Sequence, residues 1–217
     1  NAEDAIRTIL DEIDTSTTLG KERLVIVLGE FGRRYPGSSV IPSIIQKCLD
    51  LSTGLHKRSD IYIKTVGRQA AVALGKIGSS VAEGHLITLL SYDSVRTDAI
   101  FSIGKCGNSL NAVYHIVQHA NSQGDGERIA VMWALGKLIS RERENPLPIQ
   151  DLLSLKLDQV LIQRAHRKTE SHEAVRKFAV YALGELCDRR PLLGHSEIVD
   201  STLAQTVILH LRTVKKE

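Results

Sequence analysis

The chain has 217 residues, 42% of them hydrophobic and 24% charged, which excludes intrinsic disorder and supplies enough apolar material for one sizeable domain. Aromatic residues make up only 4%, so the core has to be built from aliphatic side chains and alanine, which favours packed helices over a β-sandwich or barrel. The formal net charge of +3 is too small to demand a nucleic acid or an anionic membrane, and no apolar run nears the roughly 18 residues of a membrane span. The first residues do not read as a secretory leader, so a cytoplasmic protein without membrane contact is expected. Their start, "NAEDAIRTIL" without methionine, suits a trimmed chain or a domain cut from a longer one.

In chain order, five segments repeat one pattern around a glycine: Gly29, Gly75, Gly104, Gly136 and Gly184. One residue before it stand Leu28, Leu74, Ile103, Leu135 and Leu183, and two after it stand Phe31, Ile77, Cys106, Leu138 and Leu186. Five before it stand Leu24, Ala70, Ala99, Val131 and Ala179, and two before it the small Val27, Ala73, Ser102, Ala134 and Ala182. These offsets follow the i, i+3, i+4, i+7 rule for one buried helical face. A glycine inside a helix costs about 1 kcal/mol relative to alanine, so its recurrence calls for a neighbouring helix too close to admit a Cβ. A stack of near-identical units, each covering the apolar face of the next, supplies that neighbour.

Asp93 to Arg96, Asp125 to Arg128 and Glu173 to Arg176 each set an acid at the head of such a helix and an arginine three residues on. The acid complements the positive helix start, and the arginine is expected to reach an acid of the adjacent unit. Cys48, Cys106 and Cys187 lie far apart among aliphatic residues and read as small buried hydrophobes in a reducing compartment.

The "VRxxAxxALGxLG" pattern resembles the HEAT-like repeats, in the short form found in phycobilisome lyases and deoxyhypusine hydroxylase. The resemblance spans nearly the whole chain and implies an all-α, right-handed α-solenoid of about five units forming a single domain over residues 1–217. It also implies a B helix after each A helix just aligned. The candidates are Ser39 to Ser52, Ser80 to Leu90, Ser109 to Asn121, Leu147 to Arg167 and Glu197 to Thr213, on the concave surface where partners of such solenoids bind. The insertions Thr53 to Lys64 and Arg141 to Gln150 read as loops, the second carrying Pro146 and Pro148.

No motif in the chain fixes a chemistry. His172-Glu173 is the one His-Glu pair and cannot build the di-iron site of deoxyhypusine hydroxylase alone. His115 and His119 have the i, i+4 spacing of two metal ligands but make at most half a site, and read as polar surface. The serines fall at helix starts, where capping accounts for them, and neither GxSxG, GxxxxGK[ST] nor GxGxxG occurs. No catalytic residue, cofactor or metal is therefore expected.

The reading that follows is a non-enzymatic protein-binding scaffold or adaptor. Its partner is a protein, or the remainder of a larger polypeptide, on the B-helix surface. The outward positions opposite each apolar stripe are Lys47, Glu83, Thr88, His115, His119, Asp158, Ile162 and His166. Ile162 is the most telling, because an apolar residue away from the core marks a contact surface. Two alternatives stand beside it. A bilin lyase subunit follows from repeat grammar alone, a weak warrant for function. A nucleic-acid binder would use Arg33-Arg34, Lys57-Arg58, Arg164, Arg167-Lys168 and Arg189-Arg190 on phosphates, but is not favoured beside Asp50, Asp151 and Asp158.

Overall fold

A computed structural model describes residues 2–53, 57–140 and 146–188, and every regular element among them is helical. The chain divides into two compact units, Asn1–Gly107 and Asn108–Glu217. In the first, α1 (Ala2–Glu12) and a 3-10 turn (Ile13–Thr15) precede α2 (Thr18–Arg34) and α3 (Ile41–Ser52). A continuous helical stretch follows: α4 (Asp60–Tyr62), a π turn (Ile63–Gly67) and α5 (Arg68–Ile77). A 3-10 turn (Ser80–Ala82), α6 (Glu83–Leu89) and α7 (Asp93–Cys106) complete the unit. The second unit contains α8 (Leu110–Val117), α9 (Asp125–Ile139), α10 (Ile149–Ser154), α11 (Leu157–Ala165) and α12 (Glu173–Asp188).

The aligned glycine helices are α2, α5, α7, α9 and α12, the A type; α3, α6, α8 and the pair α10 and α11 are the B type. In the first unit α5 packs on both α2 and α7, with α3 against α5 and α6 against α7. In the second, α9 packs on α12, α8 on α9 and α11 on α12. Leu28, Leu74, Ile103, Leu135 and Leu183, each one residue before the repeated glycine, are all buried. Each such side chain removed from water contributes about 1.5–3 kcal/mol.

Three of the repeated glycines, Gly29, Gly75 and Gly136, sit where stacking requires them, whereas at Gly184 an added Cβ would meet nothing within 4 Å among the described residues. A Cβ on Gly29 would stand 2.9 Å from both Cα and Cβ of Ala73, and one on Gly75 would stand 2.8 Å from the Cα of Ser102. On Gly136 it would meet the ring of Tyr181 at 2.7 Å and Cβ of Ala182 at 3.6 Å. The partner in every case includes the residue two before the next glycine, so the glycine column and the small-residue column are the two halves of one interlock. Gly32 does the same one turn later, where a Cβ would come within 2.5 Å of Cγ1 of Ile77.

The arginines at the A-helix starts depart from the expected ladder between repeats. Arg96 Nε donates to the Leu90 carbonyl at 2.6 Å, Arg128 Nη1 to that of Ser122 at 2.8 Å and Arg176 Nη1 to that of Glu170 at 3.0 Å. Each acceptor lies 6 residues back, in the turn leading into the helix, and a guanidinium reaches it because its fork spans several donors. Arg128 also bonds Glu170, and ties between neighbouring A helices are made by other pairs, Lys76 with Glu30 at 2.7 Å and Arg68 with Asp98 at 2.5 Å.

Three further expectations change. The insertion expected as a loop over Thr53 to Lys64 becomes helical at Asp60, because the Ser59 side chain accepts the Tyr62 amide and caps a new helix. The B helix expected over Leu147 to Arg167 is two helices, broken where Lys156 adopts the left-handed φ of +55°. The B helix expected over Ser109 to Asn121 ends at Val117. The candidate Glu197 to Thr213 lies outside the described residues.

Gly75→Ala and Gly29→Ala are expected to destabilise the protein by about 1–3 kcal/mol, since overpacking against backbone outweighs the gain in helix propensity. Gly84→Ala on exposed α6, where a Cβ meets nothing within 4 Å, should be neutral or stabilising by up to about 1 kcal/mol. Denaturant unfolding of the three variants checks both signs.

Candidate binding surface

With A helices carrying the stack, the B helices keep one face for solvent, and the same i, i+3, i+4, i+7 stripe emerges on α3, α6, α8 and α11. On α3 it is Ser43, Gln46, Lys47 and Asp50; on α6 it is Gly84, Ile87 and Thr88, with Ser91 just beyond. In the second unit α8 presents Asn111, Tyr114, His115 and Gln118, and α11 presents Gln159, Ile162, Gln163 and His166. Charge is scarce on these stripes and already engaged. Lys47 Nζ lies 2.8 Å from Asp14 Oδ2, and Gln46 donates to Asp50 at 2.8 Å. What remains is amide, hydroxyl, imidazole and one phenol, with Tyr114 meeting the His115 ring edge-on at 5.3 Å between centroids.

Of the eight residues expected to face outward, Lys47, Thr88, His115, Ile162 and His166 stand on the stripes, Ile162 half-buried there. Glu83 does not: it is buried, its carboxylate turned in against Gly107 at the end of α7. The 3-10 turn at Ser80–Ala82 advances by 120° per residue rather than 100°, which rotates the start of α6 away from the simple helical phase. His119 and Asp158 flank the stripes. His119 falls in the turn after α8, its Nδ1 3.0 Å from Glu127 Oε1, so it is off the helical face that would pair it with His115. Asp158 is half-buried in the first turn of α11, where an acid complements the helix dipole. Among the described residues no group of three or more potential metal ligands occurs, and no helix is long and apolar enough to cross a membrane.

Of the basic residues considered for phosphate contact, Arg33, Arg58 and Arg164 are engaged within the fold. Arg33 bonds Glu30 at 3.0 Å, Arg58 lies over the Tyr62 ring 5.0 Å from its centroid, and the half-buried Arg164 bonds Glu170 at 3.2 Å. Arg189-Arg190 lie outside the described residues. Cys48 and Cys106 are buried as expected, and burial pushes the Cys48 thiol up to about 12, whereas Cys187 is half-buried.

Glu170, absent from the sequence reading, holds α11 in place. It is buried in the turn before α12 and accepts hydrogen bonds from Arg128 at 2.9 and 3.1 Å, Arg164 at 3.2 Å and the His172 amide at 2.9 Å. Arg164 also bonds Asn121, so α8, α9, α11 and α12 meet through one carboxylate. Burial alone would raise the Glu170 pKa. The hydrogen bonds from Arg128, the His172 amide and Arg164 outweigh it and hold the carboxyl below the usual range.

No protein-family model matches the chain, and no curated protein matches it. Solved structures do. An engineered protein is similar over 96% of this chain and 97% of its own, with TM-score 0.64 and 15% identity. A designed armadillo repeat protein in complex with a (KR)4 peptide covers 94% and 98%, with TM-score 0.63 and 16% identity. A computationally designed armadillo repeat protein for modular peptide recognition covers the same shares, with TM-score 0.60 and 15% identity. These likenesses establish the fold, an all-helical α-solenoid of armadillo-like repeats, as the glycine frame of the sequence predicts.

Because the Glu170 pKa is lowered on folding, the unfolded chain binds more protons as pH falls through the carboxylate range. The stability this residue contributes is therefore present above about pH 4.5 and lost below it. Glu170→Gln should flatten that acid loss and cost about 3 kcal/mol at neutral pH, by stranding Arg128 and Arg164. Unfolding curves of both proteins across pH 3–7 check it.

Proposed function

We propose that the chain is a non-enzymatic protein-binding scaffold that takes an extended, largely uncharged peptide segment along the B-helix stripes of its second unit. The observation that carries this is the largely hydrogen-bonding, uncharged stripe on both α8 and α11, while Arg128 and Arg164 beside them are engaged with Glu170. An extended peptide has unpaired amide and carbonyl groups along its length, and the donors and acceptors of Asn111, Gln118, Gln159 and Gln163 suit them. Tyr114 and Ile162 supply the apolar anchors that give such contacts most of their energy.

The similar designed proteins support the reading, since one is a complex with a peptide and another is described as made for peptide recognition. The partner chemistry differs: the former is in complex with (KR)4, whereas the stripes of α8 and α11 carry no acid, so a basic peptide is not the expected ligand. The HEAT-like assignment of the repeats, one continuous domain over residues 1–217 and a cytoplasmic setting belong to the same proposal. The motif and the composition support them.

Selection from a random peptide library on the immobilised chain tests the reading. Binders low in charge are expected, weakened ten-fold or more by Tyr114→Ala with Gln163→Ala, at unchanged melting temperature. Binding indifferent to both substitutions overturns the proposal. So do retention of duplex DNA with a steep salt dependence and visible absorbance acquired on mixing with bilin, in favour of the two alternatives.

A further inference from the structure

The stripe on α11 runs into a basic margin. His166 is its last member, and the next two residues, Arg167 and Lys168, are both exposed. The turn that follows fixes their place. The His166 carbonyl accepts the amides of Thr169 at 3.1 Å and Glu170 at 3.0 Å and the Thr169 hydroxyl at 3.1 Å, and the Lys168 amide donates to His166 Nδ1 at 3.1 Å. With Nδ1 accepting, the hydrogen of the neutral ring sits on Nε2, so His166 offers a donor beside the two cations. Glu170 pins the same turn through Arg128 and Arg164.

Charge at this margin is one-sided. Glu170 is buried and shared by Arg128 and Arg164, and Asp158 lies at the opposite end of α11. The remaining acid over residues 157–177, Glu173, sits 2.5 Å from Lys177, and Lys177, Arg176 and Arg167 together hold its carboxyl below the usual range. Cations outnumber acids over this stretch, and the surplus is exposed at Arg167 and Lys168. Asn121, in the turn after α8, bonds Arg164 near the end of α11, so the C-terminal ends of both stripes meet the same margin. The stripes themselves carry neither lysine nor arginine.

We infer that the segment held along the stripes of α8 and α11 carries one carboxylate side chain, from Asp or Glu, set against His166, Arg167 and Lys168, and that this contact decides which way round the segment lies. The inference rests on the peptide reading of the stripes and adds to it the partner's charge and direction. A carboxylate suits the three groups together: its oxygens take the forked donors of a guanidinium, while the ammonium and the imidazole N–H reach the remaining lone pairs. Because both cations are exposed, the contact contributes little to total affinity and more to selection, since a basic residue at the same place is repelled. A nucleic-acid backbone is the poorer match, because it needs cations along its whole track and this surface supplies them only at one margin.

The probe is a random peptide library selected on the immobilised full chain and scored position by position. Acidic residues are expected to be enriched at a single position towards one end of the selected peptides, with basic residues depleted there. Resynthesised with glutamine in place of that acid, a selected peptide should bind about three- to ten-fold more weakly, and the difference should shrink as salt rises. On a chain carrying Arg167→Gln with Lys168→Gln, at unchanged melting temperature, the acidic and glutamine peptides should bind alike. Selections without an enriched acid, or a difference between the two peptides that survives the double substitution, overturn the inference. If the glutamine peptide still loses its binding on Tyr114→Ala with Gln163→Ala, the peptide reading stands while the charge assignment falls; capture of no peptide at all overturns both. Duplex DNA retained by the chain and released by the double substitution overturns the inference in favour of a phosphate-binding margin.

Discussion

Everything in this fold depends on a notch: a glycine on one A helix receives the small residue that stands two places before the glycine of the next. The arrangement sacrifices helix propensity, about 1 kcal/mol per glycine, for backbone approach that no side chain would permit. The return is close packing along the whole contact, in which each atom pair adds only about 0.1–0.2 kcal/mol but many pairs form. The notch also restricts register, because sliding by one turn in the direction that brings Ile77, Cys106 or Leu186 opposite the glycine sets a larger residue there. Once register is fixed, Lys76 meets Glu30 and Arg68 meets Asp98 without further instruction. These half-exposed pairs are worth little as stability and more as checks on alignment.

The division of labour between helix types follows from that constraint. A helices spend their small and aliphatic residues on the stack, and charged groups at their ends secure the turns. Arg96, Arg128 and Arg176 each reach back 6 residues to a carbonyl of the preceding turn, which fixes how the B helix enters the A helix. Glu170 then gathers Arg128 and Arg164 where four helices converge. With cations committed in this way, the outward stripes of the B helices are left to neutral side chains. The surface is accordingly suited to matching hydrogen bonds rather than attracting a polyanion, and at a net charge of +3 long-range steering is weak.

Periodicity made the A helices legible: one glycine frame located all five and named side chains that the structure buries, except that Leu24 and Ile77 are half-buried and Val27 is exposed. It also foretold why the glycines are there, and Gly29, Gly75 and Gly136 bear that out. B helices were less legible because their phase is set locally. A 3-10 turn before Glu83 and a left-handed residue at Lys156 each reset the rotation, and no periodicity count sees either. His119 was misplaced because α8 ends two residues before it. Attention to charge and histidine also passed over the amides: Asn111 and Gln118 flank Tyr114 and His115 at helical spacing and were readable once α8 was phased from Leu110. Glu170 had no motif to announce it, although its place 6 residues before Arg176 is the one signal the arginine pattern offered.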